Sequence, residues 1–175
     1  MTDGRKLKGE RRKQELIDAT LQVVAREGVA GVSHRTVARE AGQPATAPAY
    51  YFDGIDDLLT AALTSCMNED ADRLGRMVSL REVAELMAEA LRDPGRLLAE
   101  FELFLLAARD PGLRESTERW LGSLADVARR FTDDPDRVTA FVAAYDGLLL
   151  QALVVSRPPT ATEFEAVLRV LLPQR

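Results

Sequence analysis

Apolar residues recur at helical spacing along most of this chain, in segments closed by glycine, proline and Asx turns. Ile17, Leu21 and Val24, flanked by Leu16, Thr20 and Val23, form one stripe and predict a first helix from about Glu10 to Glu27, ended by Gly28. Val29 to Gly31 is a link. Ser33 then offers an N-cap, with Val32 before it and Val37 at the fourth helical position forming a hydrophobic staple. A short second helix runs to Ala41, where Gly42 supplies the positive φ that other residues resist. A third extends through Ala45 to Tyr51 and ends at Phe52. Pro48 has no N–H to donate and is tolerated only in a first turn, so Thr46 is expected as its cap with Pro48 at the second helical position. About a turn and a half of helix then remains. Two short helices about a glycine turn, the second free to enter a major groove, make a helix-turn-helix.

Beyond it the pattern predicts helices from Ile55 to about Gly75, from Leu80 to Leu91, from Asp93-Pro94 onward, from Leu113 to Phe131, from Pro135 to Ser156 and from Glu163 to Leu172. The segment RLLAEFELFLLAARD is apolar over more than one face, as in a helix buried on most sides. The fold class expected is all-α, of about nine helices, with residues 1–54 as a DNA-binding head and 55–175 as a helical regulatory and dimerisation body. No repeats or low-complexity tracts interrupt it.

The run TVAREAG, then YYF and, after a short gap, DDLL, resembles the DNA-binding domain of the TetR family of one-component transcriptional regulators. The likeness extends from about Arg12 to Leu63, and ELFLLAARDPGLR is similar to one common branch of the family's regulatory domains. Two positions depart from the family pattern: Ala49 stands where a tyrosine is frequent, and Ile55 where a lysine commonly touches phosphate. The resemblance implies a ligand-responsive regulator, most simply a repressor, that binds a palindromic operator as a homodimer and is released by a small-molecule effector. It also implies Phe52 in the core, Tyr50 and Tyr51 at the DNA backbone, and the last two helices forming a four-helix interface with their two-fold copies.

Charge sharpens this picture. The chain carries a net charge of -5, with 29% charged and 46% hydrophobic residues, yet the part up to Phe52 is net basic and the remainder net acidic. A basic head on an acidic body suits a nucleic-acid reader with a separate regulatory part. Lys8, Arg11 and Arg12 lie in a basic arm that reads either as a solubilising tail or as a phosphate or minor-groove contact, the second being favoured beside a helix-turn-helix. Arg5 and Lys6 are left open. Ser33, Arg35 and Thr36 are expected at phosphate; His34, the single histidine, reads equally well as a phosphate contact or as an exposed first-turn residue. Base reading falls to Thr46, to apolar contact by Ala45 or Ala47 with thymine methyls, and to Tyr50, unless Tyr50 and Tyr51 turn inward.

An effector is expected among Leu63, Met67, Phe101 and Glu102, with Leu105, Trp120, Leu124 and Tyr145 completing the wall, although each also fits ordinary core packing. The small residues Ala140, Ala143, Ala144 and Gly147, with Gln151, permit close helix approach, either within the chain or at a homodimer seam. Phe164, Val167, Leu168 and Leu171 are expected on the same seam. Asp56 and Asp57 read as helix-dipole partners rather than a catalytic pair. Cys66, the lone cysteine, reads as core, with a redox thiol as the lesser alternative. No cofactor or metal is expected, and no run reaches the ~18 apolar residues of a membrane helix. A cytoplasmic protein is the resulting expectation. The rival readings are an enzyme, which lacks convergent ionisable groups, and a non-specific architectural or partner-binding helical protein.

Overall fold

The computed structural model describes residues 3–173, apart from the side chains of Asp3 and Arg5. Nine α-helices run in order among the described residues: α1 Asp3–Glu27, α2 His34–Glu40, α3 Ala47–Tyr51, α4 Ile55–Gly75, α5 Leu80–Ala90, α6 Pro94–Leu106, α7 Arg114–Arg129, α8 Pro135–Ala152 and α9 Ala161–Leu171. Single 3-10 turns occupy Val29–Gly31 and Pro111–Leu113. The residues fall into two compact units: those up to Cys66 with Leu98–Arg114, and Met67–Leu97 with those from Glu115 onward.

The first unit forms around α1, on which α2 and α3 pack. Leu16, Val23 and Val24 of the predicted stripe are fully buried, and Val32 and Val37 are both buried, as the staple requires. The helix begins earlier than the pattern suggested. It runs from Asp3 rather than Glu10, so the basic arm is helical, because one interior glycine costs only ~1 kcal/mol and does not stop a helix. Gln43 fastens the glycine turn to α1, its amide donating to the Arg12 carbonyl and to Glu15 Oε2, both at 3.0 Å. Gly42 has φ 62°, the left-handed stop that closes α2.

The second unit contains α5, α7, α8 and α9, with α9 packed on α5 and α8. Ser79 with Glu82 and Thr160 with Glu163 form reciprocal capping boxes at the starts of α5 and α9. Arg130 donates to the carbonyls of Gly75 at 3.0 Å and Met77 at 2.6 Å, satisfying groups that the end of α4 leaves open. Ahead of α9, Arg157 and the Thr160 cap hold the exposed Glu163 carboxyl down at about 2, from an ordinary 4.5. A depressed carboxyl contributes stability above its unfolded value and loses it as pH falls through the folded one. The first turn of α9 should therefore loosen as pH falls from about 4.5 to about 2, seen as faster amide exchange at Glu163 and Phe164.

Candidate functional site

In the first unit, α2 is held by its own hydroxyls. Ser33 Oγ accepts the Thr36 N–H at 3.1 Å, while Thr36 Oγ1 accepts the Ser33 N–H at 2.9 Å and donates to the Gly31 carbonyl at 2.9 Å. Ser33 and Thr36, two of the three residues expected at phosphate, thus set the start of α2, with threonine in the place a glutamate usually takes. Arg35 and Arg39 remain exposed on the outer side. His34 differs from the expectation: its Nε2 is buried without a hydrogen-bond partner, so the ring is turned inward and Arg35 is the side chain left to reach outward.

On α3, Pro48 sits in the first turn and is buried, while Ala45, Thr46 and Ala49 are exposed and Ala47 is half-buried. Thr46 occupies the cap position, but its side chain makes no capping bond and is left outward. Tyr50 is 81% exposed, with its ring edge-to-face on half-buried Tyr51 at 4.9 Å. Phe52 turns inward, with Lys13 Nζ 5.4 Å from its ring centroid. Asp57 Oδ2 accepts the Asp53 N–H at 3.1 Å, capping the entrance to α4. On α1, Lys8, Arg11 and Arg12 are exposed. Arg11 rests on Glu15 at 2.9 Å, a surface pair weak enough to be exchanged for a phosphate.

Of the residues expected around an effector, Glu102 stands in the first unit. Its carboxylate accepts the Val29 N–H at 3.0 Å and lies 3.4 Å from where a side chain on Gly28 (φ +71°) would begin. This bond fastens α6 to the link between α1 and α2, a role that no local sequence pattern announces. Leu63 is fully buried and Phe101 half-buried, whereas Leu105 is 64% exposed. Leu105 falls on the face of α6 opposite buried Ala99 and Leu103, so it opens to solvent instead of walling an enclosure.

In the second unit, Met67, Trp120, Leu124 and Tyr145 are buried. The Trp120 and Tyr145 rings meet edge-to-face at 5.8 Å, and Phe141 lies 6.2 Å from Tyr145. Beside them is Asp146, a residue the pattern did not single out. The Trp120 indole N–H donates to its Oδ1 at 3.3 Å, and burial pushes its carboxyl up to about 6 against that hydrogen bond.

The seam expected on α8 and α9 divides in two. Ala140, Ala143, Gln151 and Val167 are exposed, and Ala144, Gly147 and Leu171 half-buried. Phe164 and Leu168 instead pack inside their own chain at 1% and 0% exposure, so almost no surface of either is left for a second chain. The outward apolar set includes Leu150, Val154 and Val170, which the sequence reading passed over; Val154 and Val170 are 82% and 76% exposed. Leu150 and Val170 each stand three residues from Gly147 and Val167 on α8 and α9, the helical signal that identifies them, whereas Val154 lies in the turn that follows α8.

Comparison with known proteins agrees with these features. Residues 78–174 match the family described as the tetracyclin repressor-like C-terminal domain. The nicotine-responsive transcriptional repressor HdnoR of Paenarthrobacter nicotinovorans is 32% identical over 109 residues, covering 57% of this chain and 56% of that relative, so the match spans about half the relative's length. A TetR-family member from Streptomyces coelicolor A3 superposes with a TM-score of 0.79 at 35% identity, over 93% of this chain and 98% of its own. The multidrug binding protein EbrR in its ethidium complex gives 0.73 at 36% identity, over 93% and 99%. Proteins of this kind typically bind DNA as dimers and respond to small molecules, and they are regulators rather than enzymes. Among the described residues, no helix is long and apolar enough to cross a membrane. With the helix-turn-helix, the basic α1 and the matched helical body in one chain, this protein belongs to the TetR family of transcriptional regulators.

Proposed function

We propose that the chain is a homodimeric repressor that binds an inverted-repeat operator and leaves it when a small-molecule effector enters the helical body. The observation that carries this reading is the division of α3: Pro48 and Phe52 are buried, while Ala45, Thr46 and Tyr50 stand outward beside exposed Arg35 and Arg39. Such a surface has few long polar side chains. It discriminates weakly at each base, so DNA shape and the spacing of two heads, about 34–36 Å between half-site centres or a related multiple, supply the remainder. The uncovered apolar residues of α8 and α9 support a second chain there, since patches of this kind commonly mark interaction sites.

A nicotine-responsive relative, and EbrR in complexes with ethidium, malachite green and proflavin, support an effector that is a small organic molecule. The effector displaces the operator only to the extent that it binds the DNA-incompetent state more tightly than the competent one; tight binding alone moves nothing.

Selection of bound fragments from random duplexes tests the reading. One inverted repeat is expected; salt-sensitive binding without a consensus would assign the chain to non-specific architectural binding instead. On the selected site, Arg35→Ala should weaken all sequences alike, whereas Thr46→Val should change preference at one base position, by about 1–3 kcal/mol. Titration of both variants against single-base operator variants separates the two effects.

A further inference from the structure

We infer that Asp146, set against Trp120 and next to Tyr145, is the counter-ion for an organic cation, so that the effector is a quaternary or charge-delocalised cationic molecule. This rests on the effector-responsive reading above and names the ligand class of the same helical body.

An ionised carboxylate offers about four acceptor sites. At Asp146 one of them takes the indole N–H of Trp120, at a rather long 3.3 Å. Among the described residues no lysine, arginine or histidine forms an ion pair with it, unlike Asp70, which has Arg73, and Glu165, which has Arg81 and Arg169. A carboxylate drawn out of water with no positive partner is among the costliest groups a fold can hold, and an apolar residue of like size would be the more stable choice. The carboxyl titrates at about 6, so it is still largely ionised near neutral pH while half-buried and without a cation of its own chain.

The surroundings narrow what that partner is. A metal ion would need several hard ligands, and no group of three His, Cys, Asp or Glu able to hold one occurs among the described residues. A primary ammonium brings three donors, and one carboxylate already bonded to an indole serves them poorly. Beside the carboxylate lie the Trp120 and Tyr145 rings, meeting at 5.8 Å and 68°. Aromatic faces attract a diffuse positive charge without asking it for hydrogen bonds. One negative charge flanked by aromatic rings therefore suits a cation whose charge is spread or shielded by carbon.

The test uses two probes of nearly equal shape, 1-methylquinolinium and 1-methylnaphthalene, titrated into the full chain near pH 8. Trp120 is the single tryptophan, so its emission reports on this site directly. The native chain is expected to bind the cation at least tenfold more tightly than the neutral probe, with the Trp120 emission changing. Asp146→Asn keeps an oxygen for the indole bond and removes the charge. It should abolish that preference, weakening the cation at least tenfold and the neutral probe less than twofold. Its unfolding midpoint at pH 8 should equal or exceed that of the native chain, which keeps loss of folding from passing for loss of binding. Equal affinities in the native chain, a preference that survives in Asp146→Asn, or no binding by either probe would overturn the inference. Any of these results alongside a recovered inverted repeat leaves the regulator reading standing, whereas loss of the repeat strikes that reading and leaves the charge preference to be decided by the titration alone.

Discussion

Aspartate at both Val167 and Val170 should turn the protein into a monomer and weaken its hold on the selected operator by about a hundredfold or more. Two heads joined by a seam bind as one bivalent ligand, and loss of the junction removes an advantage of about 10²–10⁴. Both residues lie on α9, Val170 at 76% exposure and Val167 at 40%, so the isolated fold has little reason to resist the change. In the dimer, four new carboxylates would be pressed into an apolar contact without partners, a strongly unfavourable arrangement. Sedimentation velocity should show a single-copy species with unchanged helical circular dichroism, and mobility shift should show the loss on DNA. A variant that remained dimeric, or a monomer that kept full operator affinity, would remove the seam from the mechanism.

The second large effect is expected at Phe52. Truncation to alanine should cost about 3–5 kcal/mol in the stability of the first unit, the usual range for deleting a buried aromatic ring. Phe52 is 3% exposed, its N–H donates to the Pro48 carbonyl at 2.9 Å, and its ring lies beneath Lys13. It closes a helix of five residues in which Pro48 is the buried residue. Helices of that length are not stable alone, so α3 depends on its tertiary packing on α1 and α2, in which this ring is the largest buried side chain at its end. Denaturant unfolding should show the loss, and hydrogen exchange should locate it at the amides of α1 to α3. Operator binding should fail even though no base-facing side chain has changed. A cost below about 1 kcal/mol would mean that α3 is held by something other than the ring.

These outcomes depend on features that were unequally visible in the chain. The helix-turn-helix was legible because its information is local: a staple, a cap, a glycine at φ 62° and a proline confined to a first turn each fix the backbone within a few residues. The use made of the hydroxyls was harder to read. Thr46 stands at a cap position without capping, while Ser33 and Thr36, expected at phosphate, bond each other. A hydroxyl serves equally as a cap or as a ligand, and only its rotamer decides.

Helix faces were less certain still. Phe164 and Leu168 share the apolar periodicity of α9 with Val167 and Val170, yet the first two enter the core and the second two face outward. Periodicity identifies an apolar face, but where α9 is apolar over much of its circumference it does not say which part meets its own chain. Glu102 and Asp146 were illegible as they stand. Their significance comes from Val29, 73 residues away, and from Trp120, 26 residues away, and neither relation leaves a trace in spacing along the chain.

The measurement that bears most directly on the account is the mass of protein held by a duplex carrying the selected inverted repeat, set against the mass held by the same duplex with one half scrambled. Two chains should load together onto the intact repeat, without an appreciable one-chain species, and the single half-site should bind far more weakly. One chain per repeat, or equal affinity for the whole and the half, would contradict the claim that two heads are carried to DNA by a seam on α8 and α9.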